Sequence, residues 1–294
     1  MKRASSRALT LLSGALLFLQ STLVVTGGAV RLTGSGLGCP TWPECTPGSY
    51  IPIPNQVEGQ LHAWIEFGNR LLTFVLLFAA IATLIAVIKF ARKDLRLLAI
   101  GQVLGIFGQG VLGGITVLTN LNPASVASHF LLSMILIAGA TSIFMRRNES
   151  FIKVENQDKR LMALSKIHLA LTAIVLISGT IVTGSGPHAG DADAPRFNIE
   201  IQSAARAHGI AVVLLIALTI YFLLQKSASK LTKKSVQGFL HLSLAQGLIG
   251  YIQYLTGVPQ LLVATHLLGS ILVWIFAWRI WLSVSTTQKE KANQ

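Results

Sequence analysis

Eight apolar runs, each roughly 20 residues long, fill most of this 294-residue chain and leave little choice of fold. They lie near 8–30, 61–88, 97–118, 124–145, 167–187, 204–225, 236–256 and 261–282. Backbone groups in lipid must be satisfied within their own segment, so runs of this length are helices. The chain therefore reads as an all-α integral membrane protein with eight transmembrane helices. Only 12% of its residues are charged, about half the share in a soluble domain. The first run starts basic, as a signal peptide does. It is too long for an h-region and lacks an A-x-A site, so it reads as a retained helix.

The formal net charge of +13 raises the question of nucleic acid, and the placement of the charge answers it. Basic residues cluster before the first run, between the second and third, fourth and fifth, and sixth and seventh runs, and at the end of the chain. These clusters hold twenty of the 24 Lys and Arg. By the positive-inside rule that side is cytoplasmic, with both termini on it, in a bacterial plasma membrane. The bilayer, not nucleic acid, is the expected partner of these charges.

The chain also repeats itself. The stretch from Gln109 to His129 aligns without a gap with the stretch from Gln246 to His266, sharing Gln, Gly, Gly, Thr, Val, Ala and His. Thr33-Gly-Ser-Gly36 recurs as Thr183-Gly-Ser-Gly186. The expected organisation is two tandem, pseudo-symmetric four-helix bundles, 1–145 and 167–294, joined by a cytoplasmic linker at 146–166. The repeat is parallel, because each half starts and ends on the same side; inverted repeats mark many transporters, though parallel ones occur there too.

Both cysteines fall in the first outer loop, as Cys39-Pro-Thr-Trp-Pro-Glu-Cys45. That loop faces the oxidising side, where disulfides persist. A structural staple is preferred over a redox-active pair, and metal binding by these two alone is the weakest reading.

Four of the seven histidines, His62, His129, His208 and His266, lie near the outer ends of even-numbered helices. A single helical histidine is commonly a packing residue. Four at corresponding depths in a repeat point instead to a site, because ionisable groups within spans are expensive. Facing histidines in a bundle hold haem iron. Zinc lacks a cysteine or carboxylate near His208 and His266. His168 and His241 read as structural, and His188 belongs to a loop. In the second helix His62, Glu66, Asn69 and Arg70 share a face. Glu66 and Arg70 have the spacing of a helical ion pair. Such a pair can simply neutralise buried charge, or it can serve a cofactor, with Arg70 on a propionate and Glu66 handling protons or the oxidised group.

Taken together, these residues resemble haem A synthase, over nearly the whole chain. The resemblance implies oxidation of the C8 methyl of haem O to a formyl group, giving haem A for terminal oxidases. It implies a haem b cofactor in the C-terminal half on His208 and His266, and haem O in the N-terminal half facing His129. It also implies a haem O synthase and oxidase assembly factors as partners, and leaves homo-oligomerisation open. The family's second helix usually reads Glu-x-x-His-Arg, whereas this chain has Glu66-Phe-Gly-Asn69-Arg70, similar to the actinobacterial branch. Asn69 precedes Gln109 by forty residues and His208 precedes Gln246 by 38, so Asn69 rather than His62 corresponds to His208. His62 ligates the substrate iron only if that haem sits nearer the outer surface; otherwise Glu66 and Asn69 line an open side. Two readings compete with this one: a bis-histidine membrane cytochrome b that carries electrons, and a transporter of haem or another hydrophobic cofactor.

Overall fold

The structure, a computed structural model, describes residues 2–147, 151–153 and 158–288. Eight helices account for nearly all of them: α1 (Lys2–Leu32), α2 (Gln60–Lys89), α3 (Lys93–Leu118), α4 (Pro123–Arg146), α5 (Lys159–Ser185), α6 (Ile201–Leu223), α7 (Lys230–Leu255) and α8 (Gln260–Ser285). Two three-residue strands, β1 (Phe151–Lys153) and β2 (Thr286–Gln288), pair antiparallel. The sequence reading expected a plain polar linker and tail there.

Seven of the helices are long and apolar enough to cross a bilayer. The exception is α7, where Lys230, Lys233, Lys234, Gln237, His241, Gln246 and Gln253 dilute the apolar content. Its 26 residues match its neighbours in length, and it packs between α6 and α8. Large apolar side chains such as Phe18, Phe74, Phe78 and Leu97 stand exposed on the helix surfaces, as lipid-facing positions require. Thirty residues make α2 about 45 Å long, longer than the roughly 30 Å hydrocarbon core of a bilayer.

Helix ends follow local chemistry. Asn122 accepts from the Ala124 amide, with Pro123 opening α4. Asp158 and Ser229 cap α5 and α7 in the same way. The C-termini of α3 and α7 share one geometry. Thr119 and Thr256 are the capping residues, and left-handed pairs follow them, Asn120 (φ 51°) with Leu121 (φ 59°) and Gly257 (φ 73°) with Val258 (φ 63°). The Leu121 amide reaches back to the Thr116 carbonyl (2.8 Å) and the Val258 amide to that of Gln253 (2.9 Å), the six-to-one bond of a Schellman end. These positions coincide in the gapless alignment of the two segments.

Helices α1–α4 contact one another in a closed ring, α1 meeting both α2 and α4, and α5–α8 do the same. One buried cluster, including Leu16, Leu76, Ala80, Leu95, Ile106 and Ile143, fills the first ring. Another, including Leu215, Phe222, Val236, Phe239, Ala277 and Ile280, fills the second. A third joins them through Met134, Ile137, Leu176, Ile271 and Trp274. At that seam the Trp274 indole donates to the Met134 carbonyl and the Trp278 indole to Ser142 Oγ, both at 2.7 Å. Beyond the C-terminal ends of α1 and α5 the Gly36 amide meets the Gly190 carbonyl (2.8 Å), and Arg31 donates to the Thr183 carbonyl (2.6 Å). Gly36 lies so close to the Gly190 backbone that a Cβ would stand 3.1 Å from that carbonyl oxygen.

Candidate functional site

Each ring of helices carries its own group of polar residues near the end where the 31–60 and 186–200 loops lie. In the second, His208 Nδ1 is hydrogen-bonded to Ser178 Oγ on α5 (2.9 Å). The bond fixes which ring nitrogen is committed, leaving Nε2 for another partner. A Cβ on neighbouring Gly179 would lie 3.4 Å from Cε1 of His208, so the imidazole rests against bare backbone. Gly250 on α7 is placed identically against His266, also at 3.4 Å. Nδ1 of His266 is buried without a protein partner, a condition that needs an explanation in a folded protein.

In the first ring His129 repeats the His266 arrangement. Gly113 stands 3.4 Å from its Cε1 on the same measure, and its Nδ1 is likewise buried and unpartnered. Gln109, at the start of the repeated segment, donates to the His129 carbonyl (3.2 Å) and to Ser133 Oγ (2.7 Å), tying α3 to α4 beside the histidine. Asn69 sits against Thr26-Gly27 as His208 sits against Ser178-Gly179. Thr26 Oγ1 donates to Asn69 Oδ1 (2.7 Å), and a Cβ on Gly27 would be 3.8 Å from Asn69 Nδ2. This hydroxyl–glycine pair was not singled out in the sequence, although both copies are visible there as Thr-Gly and Ser-Gly.

His62 sits elsewhere. Its Nδ1 bonds Ser35 Oγ (2.8 Å) in the Thr-Gly-Ser-Gly segment beyond the end of α1. Asn69 meets α1 at Thr26, nine residues earlier. The two residues share a face of α2, but His62 meets the loop beyond α1 and Asn69 meets α1 itself.

Glu66 is 6% exposed and both its oxygens are engaged. Oε2 accepts from the Cys39 amide (2.6 Å), and Oε1 accepts from Arg70 Nη2 (2.7 Å) and Nε (3.2 Å). Arg70 continues into the loop between α1 and α2, donating to the carbonyls of Cys39 (2.9 Å), Thr41 (3.1 Å) and Glu44 (3.0 Å). Its guanidinium is thus a fastener between α2 and the loop, with most of its donors committed to protein. Cys39 and Cys45 are disulfide-bonded and fully buried. The bridge closes the loop segment that Glu66 and Arg70 grip. The Trp42 indole of the same segment lies on Gly114 of α3, 2.5 Å from where a Cβ would be. The loop therefore roofs the first ring from α2 to α3.

The remaining histidines lie apart. His168 is buried, hydrogen-bonded to Thr219 Oγ1 (3.1 Å) and edge-on to Phe239 with ring centroids 4.5 Å apart. His188 bonds the Val258 carbonyl (2.8 Å) and joins the α5–α6 loop to the α7–α8 turn. His241 is exposed. Among the described residues, no three His, Cys, Asp or Glu side chains converge as a metal cage.

Comparison with known proteins follows the same outline. The family model for cytochrome oxidase assembly protein (COX15-CtaA) matches residues 9–198. Similar curated proteins include the "Heme A synthase" of Geobacillus thermodenitrificans, 32% identical over 114 residues, covering 38% of this chain and 34% of that protein. That of Shewanella oneidensis is 30% identical over 178 residues, covering 55% and 51%. That of Exiguobacterium sp. (strain ATCC BAA-1283 / AT1b) is 25% identical over 233 residues, covering 76% of each. For the first three relatives the match spans between 32% and 36% of their own length.

Proposed function

This chain belongs to the cytochrome oxidase assembly protein family, and from that premise we propose that it is a haem A synthase. In this reading it oxidises the C8 methyl of haem O to a formyl group by two successive oxygenations and provides haem A for a terminal oxidase. The observation that carries the proposal is the His208–His266 pair. Two imidazoles from different helices each rest on a glycine of the neighbouring odd-numbered helix, with Ser178 holding His208 by Nδ1 and Nδ1 of His266 buried without a protein partner. Such a donor set fits a haem better than a bare metal ion, because two neutral nitrogens are the usual axial pair and a structural zinc wants four ligands.

His208 and His266 would hold haem b, which supplies one-electron chemistry when bound. Haem O, as substrate, would lie in the first ring with His129 on one side and Asn69 and Glu66 on the other. Asn69 gives its oxygen to Thr26, so its amide N–H groups are what it can offer the substrate. Glu66 is positioned by Arg70 and the Cys39 amide, and Arg70 acts through Glu66 and the loop. The Cys39–Cys45 bridge acts as a staple for that loop.

The organisation proposed with this function is two tandem four-helix halves, 1–145 and 167–294, joined by 146–166. In it α7 crosses the membrane with the other seven helices, both termini are cytoplasmic and the histidines lie toward the outer face. The matched Schellman ends of α3 and α7 and the one-sided basic residues support it. The Asn69 variant fits an actinobacterial-like branch, and a haem O synthase and oxidase assembly factors are the proposed partners. The test is co-expression with a haem O synthase in a host that makes no haem A, followed by chromatography and mass spectrometry of the extracted haems. Haem A or its hydroxymethyl precursor, formed only with this chain, is the expected result. Haem b alone beside abundant haem O would instead indicate an electron carrier, and no retained haem a transporter.

A further inference from the structure

The loop that roofs the first ring also presents an apolar edge that stands uncovered among the described residues. From Thr46 to Val57 it carries no charged residue, whereas the 186–200 loop carries Asp191, Asp193, Arg196 and Glu200. The segment is braced at both ends. The Cys45 amide donates to the Ser49 carbonyl (2.9 Å), and Gln56 Nε2 donates to the Gly38 carbonyl (2.6 Å). Pro52 and Gln56 are buried, while Tyr50 (67% exposed), Ile51, Ile53 and Val57 (98% exposed) stand out from the surface. Single exposed apolar side chains need no explanation, but a contiguous group of them marks an interaction surface.

The edge continues into α2. Leu61 and Trp64 are exposed in its first turns. They lie on the same stripe as the exposed Leu71, Phe74 and Phe78, on the side of the helix opposite His62, Glu66 and Asn69. That stripe is the lipid-facing side of a membrane-spanning helix. At the far end of α2, Lys89, Arg92 and Lys93 mark one bilayer surface. The helix is about 45 Å long, and a bilayer with its headgroup regions is roughly 40–45 Å thick. The first turns of α2, and the segment leading into them, therefore come at the opposite headgroup boundary.

We propose that residues 50–57, with Leu61 and Trp64, form a lip seated in the headgroup–acyl boundary of the bilayer on the side of the α1–α2 loop. The partner is the lipid itself. An indole suits that boundary because its ring is apolar and its N–H stays wet. An uncharged segment enters it without carrying an ionised group out of water. Arg70 and the Cys39–Cys45 bridge hold the same loop, so the roof over the first ring is attached to the membrane surface as well as to α2. The lip is a property of the fold and does not depend on the proposed reaction.

The test uses the full chain in lipid nanodiscs, with Cys39 and Cys45 kept in their disulfide. A nitroxide is attached to Ile53→Cys or Val57→Cys, and to Ala192→Cys in the charged α5–α6 loop, an exposed position, as the water reference. Power saturation reads collisions with oxygen, which concentrates in lipid, and with a nickel chelate, which stays in water. The ratio of oxygen to nickel collisions is expected to be several-fold higher for Ile53→Cys and Val57→Cys than for Ala192→Cys. Labels at these two positions as open to nickel as the reference would place the segment in water and overturn the lip. Labels shielded from both reagents would mean that another protein chain covers the edge, which overturns it too. Trp64 gives a check without a label. Its fluorescence, taken as the difference between wild type and Trp64→Phe, should be quenched more by lipids brominated near the headgroup than by lipids brominated near the chain ends. No quenching, or stronger quenching from the chain ends, contradicts the proposal.

Discussion

Thr26-Gly27 beside Asn69 and Ser178-Gly179 beside His208 are the same cradle holding different chemistry. In each, a hydroxyl on the odd-numbered helix fixes a polar side chain on the even-numbered one, and a glycine gives that side chain room. Across each bundle a histidine rests on a glycine, His129 on Gly113 and His266 on Gly250. One half therefore presents two imidazoles at this level, and the other presents one imidazole and one carboxamide. The difference matters because two strong ligands close an iron to other molecules, whereas one leaves a face free. In the proposed reading, the half with two imidazoles keeps a permanent redox centre and the other half a reaction space. The roof differs as well, since the first half alone carries the disulfide loop locked to Glu66 and Arg70.

The comparison breaks most visibly at the ligands. His208→Ala or His266→Ala should abolish retention of haem b, measured as pyridine haemochrome per protein. His129→Ala should leave that haem in place while removing haem O binding. Equal loss from all three would mean that the halves do not divide the work. Arg70→Leu comes next. It strands the buried Glu66 carboxylate, which for a broken buried pair costs about 3 kcal/mol, and it frees the loop carbonyls. The expected outcome is rapid proteolysis within residues 31–60 and loss of oxidation, with haem b retained. A loop as resistant as wild type would show that Arg70 does not fasten it. Ser178→Ala sharpens the contrast at the cradle. Losing the group that orients a metal-bound histidine should weaken haem b binding by about 10- to 100-fold, read from haem titration, while Thr26→Val leaves haem b untouched. Asn122→Ala probes the matched turns. It removes the N-cap of α4 and should destabilise the first half by about 1 kcal/mol, seen as a small drop in melting temperature with haem b content unchanged.

Some of this was legible before any coordinates, and the pattern of what was missed is physical. Apolar runs located all eight helices, but α5 begins at Lys159 and α7 at Lys230 rather than at 167 and 236. Hydropathy marks the lipid-facing stretch, whereas the helix continues into the polar zone under its Asp158 or Ser229 cap. Strands β1 and β2 are three residues each, too short for an alternating pattern to announce them. The Glu66–Arg70 pair was readable because its partners are four residues apart on one helix. The grip of Arg70 on the loop was not, because its acceptors are carbonyls, which every residue carries. Ser178–His208 and Ser35–His62 join residues 30 and 27 positions apart on separate segments, and spacing alone does not bring such residues together. Asn69 was recognised as the counterpart of His208 by counting along the repeat, and the shared hydroxyl–glycine cradle now gives that correspondence a structural basis.

The central claim is that the two halves coordinate iron unequally, and low-temperature electron paramagnetic resonance of the ferric protein loaded with haem b and haem O tests it most directly. The account predicts one low-spin bis-histidine signal and one high-spin signal, with Asn69→His converting the second to low spin. Two low-spin bis-histidine signals of equal weight in the wild type would contradict it.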